Sequence, residues 1–352
     1  MKVGMLRFQV INVSLAFLFM SLLLFAGLNA SAEAQVLQLS SNYKWKMTST
    51  FPPGMSKNKS LLEFISKIDQ RTNGKVKITI YEGTLGAPGD QWDMVKDNTI
   101  QISLLADGYN VGRMPVTSLF YIPFELANME VIERVYDEWM KAGYLKELTD
   151  NFKVLWLMPT NLQHLFLAKK KVSTLADFKG LKLRAVSGVA GQIIGALGAS
   201  GVSMSGGETY MALQTGAIDG TITGIDNVME RKLYDMCKYA LYLPMIGGTF
   251  AVAMNKETWN SLPKDLQAVI DQLAKEISQA DLKREMDMDK RMWDNVSKGG
   301  ITVYTISAAE QAKWKKATEM VDDNYLKEWS AKGYPVKEAL AVMRKISATA
   351  RK

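Results

Sequence analysis

The sequence predicts an α/β protein of two lobes around a cleft, with one long helix bracing both. Three observations point there. From Tyr43 onward, short alternating apolar runs are interleaved with amphipathic helical runs, the pattern of parallel strands with covering helices. A second unit of the same kind begins near residue 161, and the strand-like run at Phe250 is placed to return to the first unit. The chain then crosses between units more than once, which suits a cleft and hinge closure. Last, a helical period runs from Asp265 to about Val296, too long at about 1.5 Å per residue for the depth of one small lobe. The division expected is 43–160 plus about 249–290 for the first lobe, and 161–248 plus about 291–352 for the second.

Composition agrees with a folded chain of about two domains: 352 residues, 47% hydrophobic and 22% charged. At the N-terminus, Lys2 and Arg7 precede a nearly unbroken apolar run from Val13 to Leu28. Ala30-Ser31-Ala32 and Ala32-Glu33-Ala34 then offer small-x-small cleavage sites. This is the layout of a cleaved secretory signal peptide over 1–34, and it implies an exported protein. Its loss takes Lys2, Arg7 and Glu33 with it and moves the formal charge from +7 to +6. Basic residues are scattered apart from Lys169-Lys170-Lys171, with no aromatic interleaving, so nucleic acid is not an expected partner. The single cysteine, Cys237, excludes an internal disulfide. The single histidine, His164, excludes a two-histidine metal site and leaves no spare partner for a Cys-His relay. A buried thiol and a packed imidazole are expected, and no metal or cofactor.

In order, strands are expected at Tyr43–Thr50, Val76–Tyr81 and Ile100–Ala106, with helices at Ser56–Thr72 and Asp90–Asp97 between them. A helix at Met129–Tyr144 and a strand at Val154–Met158 follow. In the second unit the stretch Gly180–Gly224 is central. Its strands Leu181–Val186 and Ile218–Thr223 bracket a small-residue helix at Gly191–Leu197, a strand at Val202–Met204 and a helix at Glu208–Thr215. Asn227–Tyr234 reads as helix, Leu241–Met245 and Phe250–Asn255 as strands around Gly247-Gly248. After the long helix come a strand at Ile301–Ile306 and helices at Ala308–Trp329 and Val336–Ala348.

Ligands of such sheets bind at the carboxyl ends of strands. In the first unit those ends supply Thr50-Phe51, Gly83-Thr84 and Asp107-Gly108-Tyr109. In the second, Arg184 closes a strand just ahead of Ser187-Gly188 at a helix start. A guanidinium there matches a carboxylate with two parallel hydrogen bonds, and the helix N-terminus adds backbone donors. Glu208 and Asp219 can be read as a carboxylate pair, but helix amphipathicity and strand-end capping account for them.

Taken together, the leader, Gly180-Leu-Lys-Leu-Arg184, Glu208-x-Tyr210-x-Ala-Leu-Gln-x-Gly216-x-x-Asp219-Gly220 and Met254-Asn-Lys-Glu-Thr-Trp259-Asn-Ser-Leu-Pro263 resemble the solute-binding proteins of TRAP (tripartite ATP-independent periplasmic) transporters, the DctP type. The resemblance covers most of the chain from about Tyr43. It implies a type II-like periplasmic binding protein fold, a location in the periplasm, capture of a small organic acid, and delivery to a sodium-driven permease of two membrane subunits. The receptor itself is expected to be a monomer. By the resemblance, Arg184 is the carboxylate-binding arginine, Ser187 and Thr223 are further contacts, and first-lobe contacts fall near Thr50, Phe51, Asp107 and Tyr109. The chain departs from the family where many members carry a second arginine: here Asn161-Leu162-Gln163-His164-Leu165 puts Gln163 or His164 in its place. A singly gripped monocarboxylate is therefore expected, its apolar or aromatic body packed on Phe51, Tyr109 or Tyr210. Two alternatives remain open at the level of sequence: a periplasmic sensor subunit that binds the same ligand, and an exported hydrolase, against which stands the lack of a Gly-x-Ser-x-Gly elbow.

Overall fold

The computed structural model describes residues 36–351, so the leader expected over 1–34 lies outside the described residues. The chain runs β1 (Tyr43–Ser49), α1 (Asn58–Arg71), β2 (Val76–Glu82), α2 (Gln91–Lys96), β3 (Ile102–Ala106), α3 (Met129–Lys141), α4 (Lys146–Thr149) and β4 (Phe152–Pro159). It continues with β5 (Gln163–Leu167), β6 (Lys182–Ala185), α5 (Gly188–Ala196), β7 (Ser200–Ser203), α6 (Thr209–Gln214), β8 (Gly220–Thr223), α7 (Ile225–Glu230) and β9 (Tyr239–Ile246). It closes with β10 (Thr249–Asn255), α8 (Lys256–Asn260), α9 (Lys264–Val296), β11 (Thr302–Tyr304), α10 (Ala308–Ala331) and α11 (Val336–Ala350).

Two sheets result. The first is five-stranded, in the order β2-β1-β3-β10-β4; the second is six-stranded, in the order β11-β9-β5-β8-β6-β7. β1 lies parallel to β2 and β3, while β10 pairs antiparallel with β3 and β4. The strand at Phe250 thus returns to the first sheet, as its pattern suggested. The chain crosses between sheets after β4, again between β9 and β10, and a third time from β10 along the long helix to β11. The second crossing needs glycine: a Cβ on Gly247 would run into Leu126, and one on Gly248 would lie 3.0 Å from the Tyr121 hydroxyl.

β5 is the strand that alternation does not reveal. All five of its residues are buried, and it pairs antiparallel with both β8 and β9. A strand covered on both faces loses the period-two signature and reads as a plain apolar run. Gly220, from the Asp219-Gly220 motif, is explained here as well. A Cβ on it would collide with the Phe166 carbonyl oxygen of β5 and lie 3.2 Å from the Leu183 side chain of β6. The motif glycine lets β8 fit between its neighbours.

The 33-residue helix α9 spans about 50 Å and does lie across both lobes. Its first half sets Leu266, Ile270, Leu273 and Ile277 into one core with Leu61 and Phe64 of α1 and Trp156 of β4. Its last turns set Met292, Trp293 and Val296 against Ile225 and Val228 of α7 and Phe166 of β5. The closing helix departs from the expected division. The expected division places residues 336–350 in the second lobe, whereas α11 packs on α3 of the first segment, where the buried Trp139 Nε1 donates to the Ala339 carbonyl at 2.9 Å.

Gly220→Ala is expected to lower stability by about 1–3 kcal/mol through overpacking at β8. Urea unfolding measures it, and an unchanged midpoint would contradict this account of the motif.

Candidate functional site

A cavity of about 300 Å³ lies between the two sheets. Its first-lobe wall is built from the residues past β1 (Thr50, Phe51, Pro52), β2 (Gly83, Gly86, Pro88) and β3 (Asp107, Gly108, Tyr109), with Tyr121 and Phe250. Its second-lobe wall takes Gln163 of β5, Arg184 and Val186 at the end of β6, Ser205 to Gly207 past β7, and Thr223, Gly224, Asp226 and Asn227 at the end of β8. Both walls are built mainly from the carboxyl ends of strands, the position that α/β topology favours, with Gln163 and Phe250 added from the starts of the antiparallel strands β5 and β10.

Arg184 is 5% exposed. Its Nε donates to the Met204 carbonyl at 3.2 Å, and its Nη2 lies 3.5 Å from the Tyr109 hydroxyl across the cleft. Among the described residues it forms no ion pair. A buried guanidinium satisfied only by neutral oxygens retains a strong preference for an anion. Opposite it the wall is apolar: Phe51 and Phe250 meet edge-to-face with ring centroids 5.2 Å apart. The arrangement can hold a small molecule that is anionic at one end and apolar at the other.

The polar framework behind the wall is already spent. Asp107 accepts from the Gly108 amide, the Thr249 amide and hydroxyl, and the Tyr121 hydroxyl. Burial pushes its carboxyl up to about 7, against the pull of those four donors. Its role is to tie β3 to the start of β10. Lys57, at the foot of α1, is buried and reaches Glu285 of α9, with Asp226 of α7 at 3.9 Å. Burial opposes its charge, but those two carboxylates outweigh it and hold the ammonium well above its usual range.

Of the residues singled out by sequence, Thr50, Phe51, Asp107, Tyr109, Gln163, Arg184 and Thr223 meet on the cavity wall. Ser187 and Tyr210 do not. Ser187 is the N-cap of α5, and its hydroxyl accepts from the Ala190 amide at 3.1 Å. Tyr210 packs behind the wall with Leu213 and Ile218. Glu208 closes a capping box on Ser205, and Asp219 accepts from the Lys182 amide at 2.8 Å, so each is engaged by backbone rather than by the other.

Several cavity residues lie outside that set, among them Tyr121, Phe250 and Arg231. Arg231, just past α7, lines the cavity, and its Nε donates to Asn227 Oδ1 at 3.1 Å. Burial chiefly, and also the nearby Arg184 charge, lower its proton affinity. The i, i+4 spacing from Asn227 is the signal that could have found it, since that spacing puts both on one helix face. Gln163 stands where many family members carry a second arginine, and in this chain a second guanidinium borders the cavity from a different element.

His164 stacks on Tyr242 at 5.1 Å and meets Trp293 edge-on at 4.7 Å, and its Nδ1 accepts from the Leu243 amide. Burial pushes its pKa down to about 3. Cys237 sits in the apolar core beneath β9, where burial pushes its thiol up to about 12. Because the folded-state pKa of His164 lies below the unfolded value of about 6.5, its stabilising contribution is present above that pH and lost as pH falls toward 3. The single imidazole is expected to show flat NMR shifts from pH 8 to 5, and a titration near 6.5 would contradict its burial.

Residues 47–328 match the family described as bacterial extracellular solute-binding protein, family 7. A monocarboxylate 2-oxoacid-binding periplasmic protein of Nostoc is 28% identical over 236 residues, covering 65% of this chain and 64% of that one. The chain spans 50% of a Sinorhizobium fredii relative, so these two are matched over less than two thirds of their length. The fold is similar to that of a marine metagenome TRAP solute binding protein specific for aromatic acid ligands, with TM-score 0.80 and 23% identity over 88% of this chain and 100% of that one. It is also similar to a TRAP solute binding protein from Rhodoferax ferrireducens in complex with copurified benzoate, with TM-score 0.79 and 25% identity over 88% and 98%. No described helix is long and apolar enough to cross a membrane. TRAP solute-binding proteins are periplasmic, bind small organic acids and work with membrane permease subunits. With two sheets, a helix bracing both and a basic cleft between them, this chain belongs to that family, the DctP-type solute-binding proteins of TRAP transporters.

Proposed function

We propose that this chain captures a small organic acid whose carboxylate pairs with Arg184, and that it delivers the acid to the permease. The observation that carries the reading is Arg184 itself, buried on the cavity wall with only neutral hydrogen-bond partners. A carboxylate supplies the missing charge in bidentate geometry. The acid's body lies against Phe51, Phe250 and Tyr109, which favours an aromatic or branched apolar group over a sugar. The 2-oxo acids, hydroxybenzoate and benzoate named for the relatives share this form, a carboxylate on a compact body.

Closure follows from contacts on both walls. Tyr109 belongs to the first lobe and Arg184 to the second, so an acid touching both stabilises the shut form more than the open one. The permease would then meet a surface that exists only when the cleft is occupied. The role is capture and release, without chemistry on the ligand.

A thermal-shift screen against organic acids, benzoate and 2-oxo acids included, identifies a binder, because a ligand of the folded state raises the melting temperature. Calorimetry on Arg184→Gln with that acid is expected to show a loss of about 3 kcal/mol, roughly a hundredfold, since one partner of a buried ion pair is removed. Unchanged affinity would take Arg184 out of the site.

A further inference from the structure

On the footing of that acid-binding reading, we infer that Glu230 is a positioning residue, a latch across the cleft. It holds the shut form, and so sets how tightly an acid is kept, without touching the acid. α1 begins beside the cleft with no cap of its own. Its N-cap position is Lys57, whose side chain makes no capping bond, and its first turn carries no acidic residue. The buried Ser56 hydroxyl has no hydrogen-bond partner among the described residues either. A helix start of this kind presents backbone amides and a partial positive charge. The group that answers it comes from the other lobe: the Ser56 amide donates to both carboxylate oxygens of Glu230, at 3.1 and 3.3 Å.

Among the described residues the Glu230 carboxylate has no other hydrogen-bond partner and no ion pair. Asp226 lies one turn earlier on the same face of α7 and faces Lys57 at 3.9 Å, so that face turns two carboxylates toward the start of α1. The two differ in what else they meet. Lys57 and Asp226 line the cavity, and Lys57 is also held by Glu285 of α9. Neither Ser56 nor Glu230 lines the cavity, so the acid meets neither partner of the latch. A contact made between the lobes when they are shut, and lost when they part, favours the shut form whichever acid is inside. Removing it therefore weakens every acid that shuts the cleft by a common factor, because apparent affinity follows the population of the competent form.

Two measurements on the same proteins test this. Spin labels on cysteines introduced at the exposed Lys96 of α2 and Gln214 of α6 report the separation of the lobes, since the native Cys237 is buried. Without added acid, Glu230→Ala is expected to shift the label distances toward longer values. Calorimetry and stopped-flow binding with benzoate, 3-hydroxybenzoate and pyruvate are expected to show each acid that binds weakened about fivefold in Glu230→Ala, chiefly through faster dissociation. Glu230→Gln, which keeps an acceptor oxygen, is expected to lose less. Unchanged label distances, or unchanged affinities, would overturn the inference and leave the acid-binding reading intact. A lower melting temperature with unchanged distances would overturn it too, as the mark of a merely structural role. So would the loss of one acid with the others spared, since Glu230 would then meet the ligand. If none of the acids binds the unaltered protein, the acid-binding reading falls, and the label distances alone decide whether Glu230 holds the lobes together.

Discussion

A guanidinium held out of water without a counter-charge is the constraint around which this cleft is arranged. Arg184 reaches its position because β6 ends at the cavity, and its neighbours are a carbonyl and a phenol rather than carboxylates. Holding a cation so placed costs free energy, and under the proposed function the acid's carboxylate offsets that cost.

A second ionic device lets the two lobes keep their relation. Lys57 from α1, Glu285 from α9 and Asp226 from α7 meet in the interior, each from a different part of the chain. With Asn161 at the crossing, which donates to Asp289 of α9, they join both lobes to the bracing helix beside the cavity floor. Such a buried group contributes little net stability against an apolar replacement, but it fixes which surfaces oppose one another. Arg184 can face Tyr109 because this floor keeps the two walls in register. The apolar halves of α9 do the rest, one seated in each lobe's core.

Much of this was legible in the sequence, for reasons that also explain what was not. Alternation gave β1 and β2, and length gave α9, because those patterns follow directly from periodicity and rise per residue. The place of Arg184 at a strand end beside a helix start was legible from the alternation of residues 181–186, whereas a carboxylate-binding role for it came from the family resemblance. β5 was illegible because a strand covered on both faces carries no alternation. Ser187 was misplaced because a serine before a helix spends its hydroxyl on its own cap, which removes it from the cavity. Tyr210 falls outside the cavity lining because it packs against the core that Leu213 of its own helix shares with Ile218. The place of Arg231 on the cavity wall was not legible because it depends on how the end of α7 is laid against Gly206 and Gly207, a tertiary relation that local pattern does not carry.

The most direct measurement is a crystal structure of the protein with the acid it captures. The account predicts a carboxylate oxygen about 2.8 Å from each terminal nitrogen of Arg184, with the acid's body against Phe51 and Phe250. An acid seated elsewhere, or an Arg184 side chain turned out to solvent with the cleft filled, would contradict it.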